Sequence, residues 1–348
     1  MNPYVLSTLL LSLGLGTTLT FASSHWMLAW MGLEINTLAI TPLMAQHHHP
    51  RAVEATTKYF LTQATAAAMI LFASTTNAWT TGEWDITSIS NPLANTMTMI
   101  ALALKIGLAP LHFWMPEVLQ GLDLLTGLIL STWQKLAPLA LIMQISQTID
   151  PFLLTTLGLM STLVGGWGGL NQTQLRKILA YSSIAHMGWM IIILLYAPQL
   201  TLLALLTYIM MTSAAFLTMK TLSTTKINTL TLTWSKAPIL TASSVLVLLS
   251  LGGLPPLTGF MPKWLILQEL TKQTLSMTAT IMALAALLSL YFYLRLCYAA
   301  ALTISPSTNN SSTPWRMATN QNMLPLAMFT TTALGLLPMT PAIMALIT

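Results

Sequence analysis

Apolar segments of roughly 20 residues follow one another along almost the whole chain, and they constrain its fold more than any other feature. A helix that crosses a bilayer needs about 20 mostly apolar residues. Only 6% of the 348 residues are Asp, Glu, Lys or Arg, against about 25% in a typical soluble domain. A soluble protein of this length would carry more surface charge, so the sequence predicts an all-α membrane fold.

We predict about eleven transmembrane helices in a single polytopic domain. The predicted spans are 3–21, 25–44, 57–77, 95–117, 124–146, 151–170, 175–196, 200–220, 238–267, 276–302 and 323–347. The first span has no basic segment before it and no clear cleavage site, so it is predicted to be a membrane helix and not a removed signal peptide. The three longer connections are 78–94, 221–237 and 303–322.

The charges of the loops predict an orientation. If the sides alternate helix by helix, the N-terminal side collects eight basic loop residues and the opposite side collects one, Lys272. The eight are Arg51, Lys58, Arg176, Lys177, Lys220, Lys226, Lys236 and Arg316. By the positive-inside rule, the N-terminus then faces the cytoplasm or the matrix and the C-terminus faces outside.

Two proline-rich stretches form an internal repeat. Residues 107–117 and 253–263 are identical at six of eleven positions. They lie in the fourth and ninth predicted spans, five spans apart, so the second copy is predicted to be inverted relative to the first. This gives inverted five-helix repeats of 1–146 and 151–302, followed by an extra helix of 323–347. Interrupted helices at matching positions of inverted repeats are typical of transporter ion pathways. Chance similarity is the alternative.

Five prolines are predicted to break the two repeated helices: Pro110, Pro116, Pro255, Pro256 and Pro262. A proline inside a helix removes one N–H group and frees the carbonyl four residues earlier. Unpaired backbone at membrane depth persists only where protein or water satisfies it. We therefore expect the two breaks to border a hydrated cavity, and a simple packing kink is the alternative.

Four ionisable residues lie within apolar segments: Glu34, Lys105, Lys135 and Lys263. A charged residue at a helix centre costs roughly 2.5–3.5 kcal/mol to insert, and such a cost usually marks a functional site. A Glu–Lys pair that forms and breaks can load and release a proton, so these residues are candidate proton carriers. Glu34 and Lys263 lie near span ends, where snorkelling to the interface is the alternative.

Histidine supplies two further candidates, His112 and His186, because it titrates near neutral pH and can relay protons. A structural hydrogen bond is an equal alternative for both. The three histidines at 47–49 have no Cys or carboxylate close by, so we predict no metal site there. The chain has no phosphate-binding glycine loop, which predicts that it binds no cofactor. It has no Lys/Arg stripe, which argues against nucleic-acid binding.

Several long runs resemble the chain 2 family of antiporter-like membrane subunits in respiratory complex I, in its mitochondrially encoded animal form. They are residues 30–36, 105–118, 180–189 and 250–264. Mrp-type cation/proton antiporters share the fold and the broken helices of this family. Bacterial relatives have three further N-terminal helices, and the resemblance implies that this chain does without them.

The resemblance implies a role for each buried charge. It implies that Glu34 pairs with Lys105 on the first broken helix and that Lys135 relays the proton centrally. Lys263, on the second broken helix, would communicate with the far side of the membrane. The two histidines named above match polar residues proposed to line the central axis of these proteins.

The resemblance also implies a function and a setting. The chain would translocate protons across the mitochondrial inner membrane as a subunit of the NADH:ubiquinone reductase, with its N-terminus in the matrix and its C-terminus in the intermembrane space. NADH, FMN, iron–sulfur clusters and ubiquinone would belong to other subunits. The implied partners are neighbouring antiporter-like chains, accessory subunits and phospholipids such as cardiolipin. A stand-alone or Mrp-type antiporter and a passive scaffold are the alternatives.

Overall fold

The structure is a computed structural model that describes residues 2–46, 49–303 and 323–347. Over these ranges it contains α-helices, 3₁₀ turns and no β-strand, apart from two isolated bridges, His25–Asp85 and Gln174–Lys226. This confirms the predicted all-α class. The chain forms two compact units, Met1–Ser161 and Thr162–Thr348.

The first unit contains seven complete helices and the start of an eighth. They are α1 (Pro3–Ala22), α2 (Trp26–Met44), α3 (Pro50–Thr81), α4 (Pro92–Ile106), α5 (Trp114–Gly121), α6 (Leu124–Thr132), α7 (Leu136–Ile145) and the beginning of α8 (Pro151–Gly169). A 3₁₀ turn, Trp133–Lys135, lies between α6 and α7. The fourth predicted span is thus interrupted between α4 and α5, as expected, and the fifth contains a 3₁₀ turn that the sequence did not predict.

Side-chain caps and prolines set where the helices of the first unit begin. Asn2, His25, His49 and Asn91 each accept a hydrogen bond from the backbone N–H two residues further on. Proline occupies the first position of α1, α3 and α4. Both devices deal with the unpaired N–H groups of a helix start. The cap by His49 explains why α3 begins at Pro50, before the predicted span 57–77.

Two glycines let α1 and α2 pack closely against each other. A Cβ atom on Gly16 would lie 2.8 Å from the carbonyl oxygen of Gly32, and a Cβ atom on Gly32 would lie 2.9 Å from that of Gly16. Small residues permit such close approach of membrane helices. The contact also places Asn36 of α2 against α1, since its Oδ1 lies 2.9 Å from the Cβ position of Gly16.

The connection between α3 and α4 folds back on the start of α2. The Trp26 N–H donates to the Trp84 carbonyl at 3.0 Å, and the Ile86 N–H donates to the Ser24 carbonyl at 2.9 Å. The ring of His25 stacks on that of Trp84 with centroids 5.5 Å apart. Backbone hydrogen bonds therefore hold this long predicted loop against the start of α2.

Among the residues that the structure describes, the second unit begins with the end of α8 and continues through nine further helices. They are α9 (Leu175–Ile193), α10 (Pro198–Thr221), α11 (Ile227–Thr231), α12 (Thr233–Lys236), α13 (Pro238–Gly252), α14 (Phe260–Lys272), α15 (Ser276–Ala301), α16 (Leu324–Gly335) and α17 (Thr340–Ile347). The ninth predicted span is interrupted between α13 and α14, as expected. The predicted connection 221–237 contains two short helices.

The last predicted span is bent and not continuous. Residues Leu324–Gly335 and Leu337–Leu346 meet at an angle of 69°. Pro338 lies in the 3₁₀ turn between them and has no N–H to donate to the carbonyl of Leu334, so the α-helical ladder stops there. The Thr258 hydroxyl donates to the Ala333 carbonyl at the bend and ties the second break to α16.

The apolar helices make the chain a multi-pass membrane protein. Within the described residues, six helices are long and apolar enough to cross a membrane, or seven if the bent pair counts as one span. The halves α4 and α13 are apolar but too short to cross on their own. The exact count of eleven spans and the division into inverted repeats stay predictions.

Candidate functional site

A left-handed glycine ends α4 at the first break. Gly107 has a φ of 84°, and its N–H donates to the Leu104 carbonyl at 3.2 Å. The Leu108 N–H donates to the Ala103 carbonyl at 2.9 Å. These two bonds form a Schellman motif, which satisfies the last carbonyls of a helix. The Trp114 indole N–H adds a bond of 3.0 Å to the Leu104 carbonyl.

The second break is built in the same way. Gly253 has a φ of 82°, and the Leu254 N–H donates to the Leu249 carbonyl at 3.4 Å. Here a lysine takes part as well, because the Lys263 ammonium donates to the Gly252 carbonyl at 2.8 Å. A helix C-terminus carries partial negative charge, which favours a cation at this position. Lys263 therefore turns inward to the break and does not snorkel to an interface.

The prolines act differently from the prediction. Pro110, Pro255 and Pro256 lie in the turns after α4 and α13, outside the helices. The left-handed glycines, and not these prolines, end the two helices. Pro116 and Pro262 occupy the first turns of α5 and α14, where the missing N–H costs little. The prediction of two breaks was right, but its account of their cause was wrong.

Two carbonyls that the prolines were expected to leave unpaired are hydrogen-bonded. The His112 carbonyl accepts from the Met115 N–H at 3.0 Å, and the Thr258 carbonyl accepts from the Met261 N–H at 3.2 Å. Each bond spans three residues and tightens the start of the following helix. Less of the backbone at the breaks is therefore open to water than the sequence indicated.

Lys105 lies buried in the first unit near Glu34. Its side chain is 5% exposed, and its Nζ has no hydrogen-bond partner in the described part of the chain. Glu34 is half-buried, and its Oε2 is buried without a partner among the same residues. The carboxylate interacts electrostatically with Lys105 and with Tyr59. Glu34 and Lys105 are therefore close enough to interact but do not form a hydrogen-bonded pair.

Lys135 ends the 3₁₀ turn that interrupts the fifth predicted span. Pro138 cannot donate to the Gln134 carbonyl, which accounts for the loss of α-helical bonding there. A 3₁₀ segment inside a helix often marks a functional hinge. Lys135 is 2% exposed. The prediction of a buried charge within the fifth span was right, since Leu124–Ile145 is one helix of membrane-spanning length, and the 3₁₀ turn at Lys135 is a further feature that the sequence did not predict.

A cavity of about 10 Å³ borders the first break and is lined by both Lys105 and Lys135. A cavity needs about this volume to hold one water molecule. The other polar residues of its lining are neutral: Asn36, Thr37, Tyr59, Gln63, Trp114 and Gln134. The Gln63 amide also donates to the Lys105 carbonyl at 3.5 Å and so covers the end of α4.

The sequence interpretation missed these neutral residues. Tyr59 and Gln63 are four residues apart on α3, which places them on one face of the helix. That spacing was the available signal, and it is weak because neutral polar residues are frequent in this chain. Gln134 precedes Lys135 directly, but its side chain was not expected to face the same cavity.

The two histidines lie in different units. His112 is in the turn of the first break, 4% exposed, with its ring 4.4 Å from that of Phe113, and it does not line the cavity. His186 on α9 lies against Tyr208 of α10 with ring centroids 5.5 Å apart. Tyr208 is fully buried and hydrogen-bonds the Ser183 side chain. Relay and structural roles both fit these contacts.

Glu117 aligns with Lys263 in the repeat but has a different environment. It is exposed at one end of the first unit and accepts a hydrogen bond of 2.8 Å from the Lys58 ammonium. Lys58 also pairs with Glu54, one turn earlier on α3, at 2.7 Å. This hydrogen bond lowers the pKa of the Glu54 carboxyl below its usual value. Exposed ion pairs contribute little to stability, so this cluster is a modest link between α3 and α5.

No group of three or more His, Cys, Asp or Glu side chains that could hold a metal ion occurs in residues 2–46, 49–303 or 323–347. His49 is engaged as the cap of α3, since its Nδ1 accepts from the Arg51 N–H at 3.2 Å. His47 and His48 lie outside the described residues.

Comparison with known proteins places this geometry in a family. The NADH:quinone oxidoreductase/Mrp antiporter transmembrane family matches residues 23–289, and the family of NADH dehydrogenase subunit 2 C-termini matches residues 290–344. NADH-ubiquinone oxidoreductase chain 2 of Carassius auratus is 82% identical over 348 residues, which is 100% of both chains.

Solved structures share the fold. A chain of respiratory complex I from Thermus thermophilus is 28% identical with a TM-score of 0.87, covering 99% of this chain and 80% of that one. A chain of the Mrp complex from Dietzia is 14% identical with a TM-score of 0.84, covering 97% and 76%. This chain therefore belongs to the NADH–ubiquinone oxidoreductase chain 2 family, the antiporter-like membrane subunits of respiratory complex I.

Proposed function

We propose that this chain translocates protons through Glu34, Lys105, Lys135 and Lys263, driven by NADH oxidation and ubiquinone reduction in other subunits of the complex. The open arrangement of Glu34 and Lys105 carries the proposal. The two groups interact electrostatically, yet the Lys105 ammonium has no hydrogen-bond partner among the described residues. Closing the pair would hold a proton on Lys105, and opening it would release the proton.

The energy of such a switch is sufficient. At an effective dielectric constant of about 20, opposite charges about 4 Å apart interact by roughly 4 kcal/mol. Since about 1.4 kcal/mol is a factor of ten in an equilibrium constant, opening the pair would change the proton affinity of Lys105 roughly 10³-fold. This change is large enough to drive loading and release of a proton.

The released proton would pass to Lys135, which lines the same cavity as Lys105. Lys263, whose Nζ donates to the Gly252 carbonyl, would then exchange protons with the far side. His186, which lies in the same unit as Lys263, is a candidate relay within that unit. His112 is a candidate relay at the first break.

We further propose a setting in the mitochondrial inner membrane, with the N-terminus in the matrix and the C-terminus in the intermembrane space. The excess of basic loop residues on one side supports this orientation. Neighbouring antiporter-like subunits, accessory subunits and phospholipids such as cardiolipin would contact the exposed apolar surfaces. NADH, FMN, iron–sulfur clusters and ubiquinone would be bound by other chains.

Replacement of single lysines tests the proposal. In purified complex reconstituted into liposomes, we expect Lys105→Met and Lys135→Met to depress both proton pumping and coupled NADH oxidation, because neither methionine can carry a proton. Lys272→Met is the matched control, since that side chain is 61% exposed and outside the cavity. An unchanged ratio of protons to NADH in assembled Lys105→Met and Lys135→Met complexes would contradict the proposal.

A further inference from the structure

The amide of Asn36 is buried with both of its polar atoms unpaired. The residue is 2% exposed, and neither Nδ2 nor Oδ1 has a hydrogen-bond partner among the described residues. A buried donor or acceptor left unsatisfied costs about 1–3 kcal/mol, and native proteins contain few of them. Asn36 would bear this cost at two atoms of one amide, which points to a ligand that hydrogen-bonds with them.

The packing of α1 on α2 sets the position of this amide. The Cβ position of Gly16 lies 2.9 Å from Asn36 Oδ1 and 3.0 Å from its Cγ. Any side chain at position 16 would therefore press on the amide and on the Gly32 carbonyl. The glycine leaves room for Asn36 to lie between the two helices at the edge of the cavity.

Two further unpaired atoms belong to the same cavity. Lys105 Nζ and Gln134 Nε2 also have no hydrogen-bond partner in the described part of the chain, and both residues line the cavity together with Asn36. The set therefore contains three donors and one acceptor, Asn36 Oδ1. One water molecule accepts at most two hydrogen bonds and donates two, so it can bond both polar atoms of Asn36 and both lysines but cannot accept from Gln134 Nε2 in addition. The cavity of about 10 Å³ has room for about one such molecule.

We propose that Asn36 binds one water molecule between Lys105 and Lys135, and that it is the positioning residue that orients this water for proton transfer. The inference rests on the proposed function. The water oxygen accepts a proton from the Lys105 ammonium while the water donates one of its own protons to the Lys135 amine. One N–H bond breaks at Lys105 and one forms at Lys135, and the water is regenerated.

An amide suits this task better than a carboxylate. Its Oδ1 accepts a hydrogen bond from the water and its Nδ2 donates one, so it can orient the molecule for transfer in either direction. It adds no charge, whereas a carboxylate at position 36 would pair with a lysine and hold the proton there. The surrounding apolar residues keep the site small enough for one molecule.

Substitutions at position 36 test the inference in purified complex reconstituted into liposomes. We expect Asn36→Leu to lower coupled proton pumping about tenfold or more, since a positioned proton transfer typically contributes 10²–10⁴-fold. Its solvent deuterium isotope effect and its pH profile should change with it. Asn36→Ser, which keeps a donor and an acceptor, should restore much of the rate. Unchanged pumping, isotope effect and pH profile in assembled Asn36→Leu complex would overturn the inference.

Asn77→Leu is the matched control. Asn77 is also buried, 1% exposed, in α3, but it does not line the cavity. Assembled complex with Asn77→Leu should have the same proton-to-NADH ratio and the same solvent isotope effect as the wild type. If Asn36→Leu fails to assemble, a cryo-electron microscopy map of the wild-type complex that shows waters decides the question. A water within hydrogen-bonding distance of Asn36 and Lys105 supports the inference, and a dry site overturns it.

Failure of the inference and failure of the proposed function give different results. If Lys105→Met pumps normally, the proposed function is wrong. If Lys105→Met loses pumping while Asn36→Leu keeps normal pumping and a normal isotope effect, the proposed function stands and only the role of Asn36 is wrong.

Discussion

Lys105, which is buried, and Lys263, which is half-buried, lie beside matching helix breaks, but their surroundings differ. Lys105 lies before its break, near Glu34, and its ammonium has no hydrogen-bond partner in the described residues. Lys263 follows its break and caps the carbonyl of Gly252. The charge on Lys263 therefore stabilises a helix end, so that loss of its proton would loosen the second break. The charge on Lys105 is balanced by a carboxylate at a distance.

Two substitutions separate the structural and the proton-carrying roles of Lys263. We expect Lys263→Met to lower stability by about 1–3 kcal/mol, because the Gly252 carbonyl loses its partner. Lys263→Arg keeps a cation that can donate to that carbonyl but does not deprotonate. Thermal unfolding of the purified complex should therefore be near normal for the arginine variant only. Proton pumping should fall in both variants, and normal pumping with arginine would exclude proton transfer at this position.

At the scale of the element, the helix breaks combine a glycine that ends one helix with a proline in the first turn of the next. The glycines take φ values of 84° and 82°, which residues other than glycine rarely adopt. The repeated sequence was sufficient to predict where the breaks occur. The bond pattern within them required the structure, since a proline in such a stretch can lie inside a helix, in a turn or at a helix start.

The close contact at the second break gives a prediction for Gly259. A Cβ atom there would overlap the Ser250 carbonyl oxygen, and neither backbone segment can move without opening the turn. We expect Gly259→Ala to destabilise the chain by at least about 1–3 kcal/mol and to reduce assembled complex on native gels. Gly14→Ala is the control, because no atom lies within 4 Å of its Cβ position. Equal assembly of both variants would show that the turn tolerates the methyl group.

The 3₁₀ turn at Lys135 gives a second prediction for an element. In Pro138→Ala, the new N–H can donate to the Gln134 carbonyl, so α6 and α7 should join into one α-helix and turn Lys135 away from its present position. We expect unchanged or higher thermal stability together with reduced proton pumping. Pro151→Ala is the control, since a proline at the first position of α8 replaces no hydrogen bond. Full pumping by Pro138→Ala would mean that the turn is not needed for proton transfer.

At the scale of the whole molecule, the few charges of the chain are distributed between buried sites and loops. The three buried or half-buried lysines lie at the two breaks and at the 3₁₀ turn, and the half-buried Glu34 lies on α2. The loop charges are mostly basic and fall on one predicted side, which predicts the orientation of insertion. The residues that predict the orientation are therefore separate from those that we propose to carry protons.

The predicted orientation can be measured by labelling exposed lysines with a membrane-impermeant amine reagent. Lys272 is 61% exposed and should react in intact mitoplasts, whose outer surface faces the intermembrane space. Lys226, which is also exposed, should react in inverted inner-membrane vesicles. Mass spectrometry of the labelled peptides distinguishes the two sites. The reverse pattern would show that the N-terminus faces the intermembrane space.

The sequence by itself determined the membrane environment, the helical class, the family and the positions of the buried charges. Each of these properties can be recognised within a single segment, from the length of its apolar run, from its sequence motif or from one charge that is costly to bury. No knowledge of neighbouring helices was needed to find Glu34, Lys105, Lys135 or Lys263. The breaks were found for the same reason, since glycine and proline act on the local backbone.

Only the tertiary structure decided which neutral residues share a site with the lysines. Asn36, Gln63 and Gln134 belong to different elements, and they meet at one cavity because of how those elements rotate and pack. Many of these helices are apolar on most sides, so their periodicity does not show which face points inward. The close packing of α1 on α2 at Gly16 and the hydrogen bond from Lys263 to the Gly252 carbonyl likewise depend on contacts between elements. The charges were visible in the sequence, whereas the neutral polar residues around them were visible only in the fold.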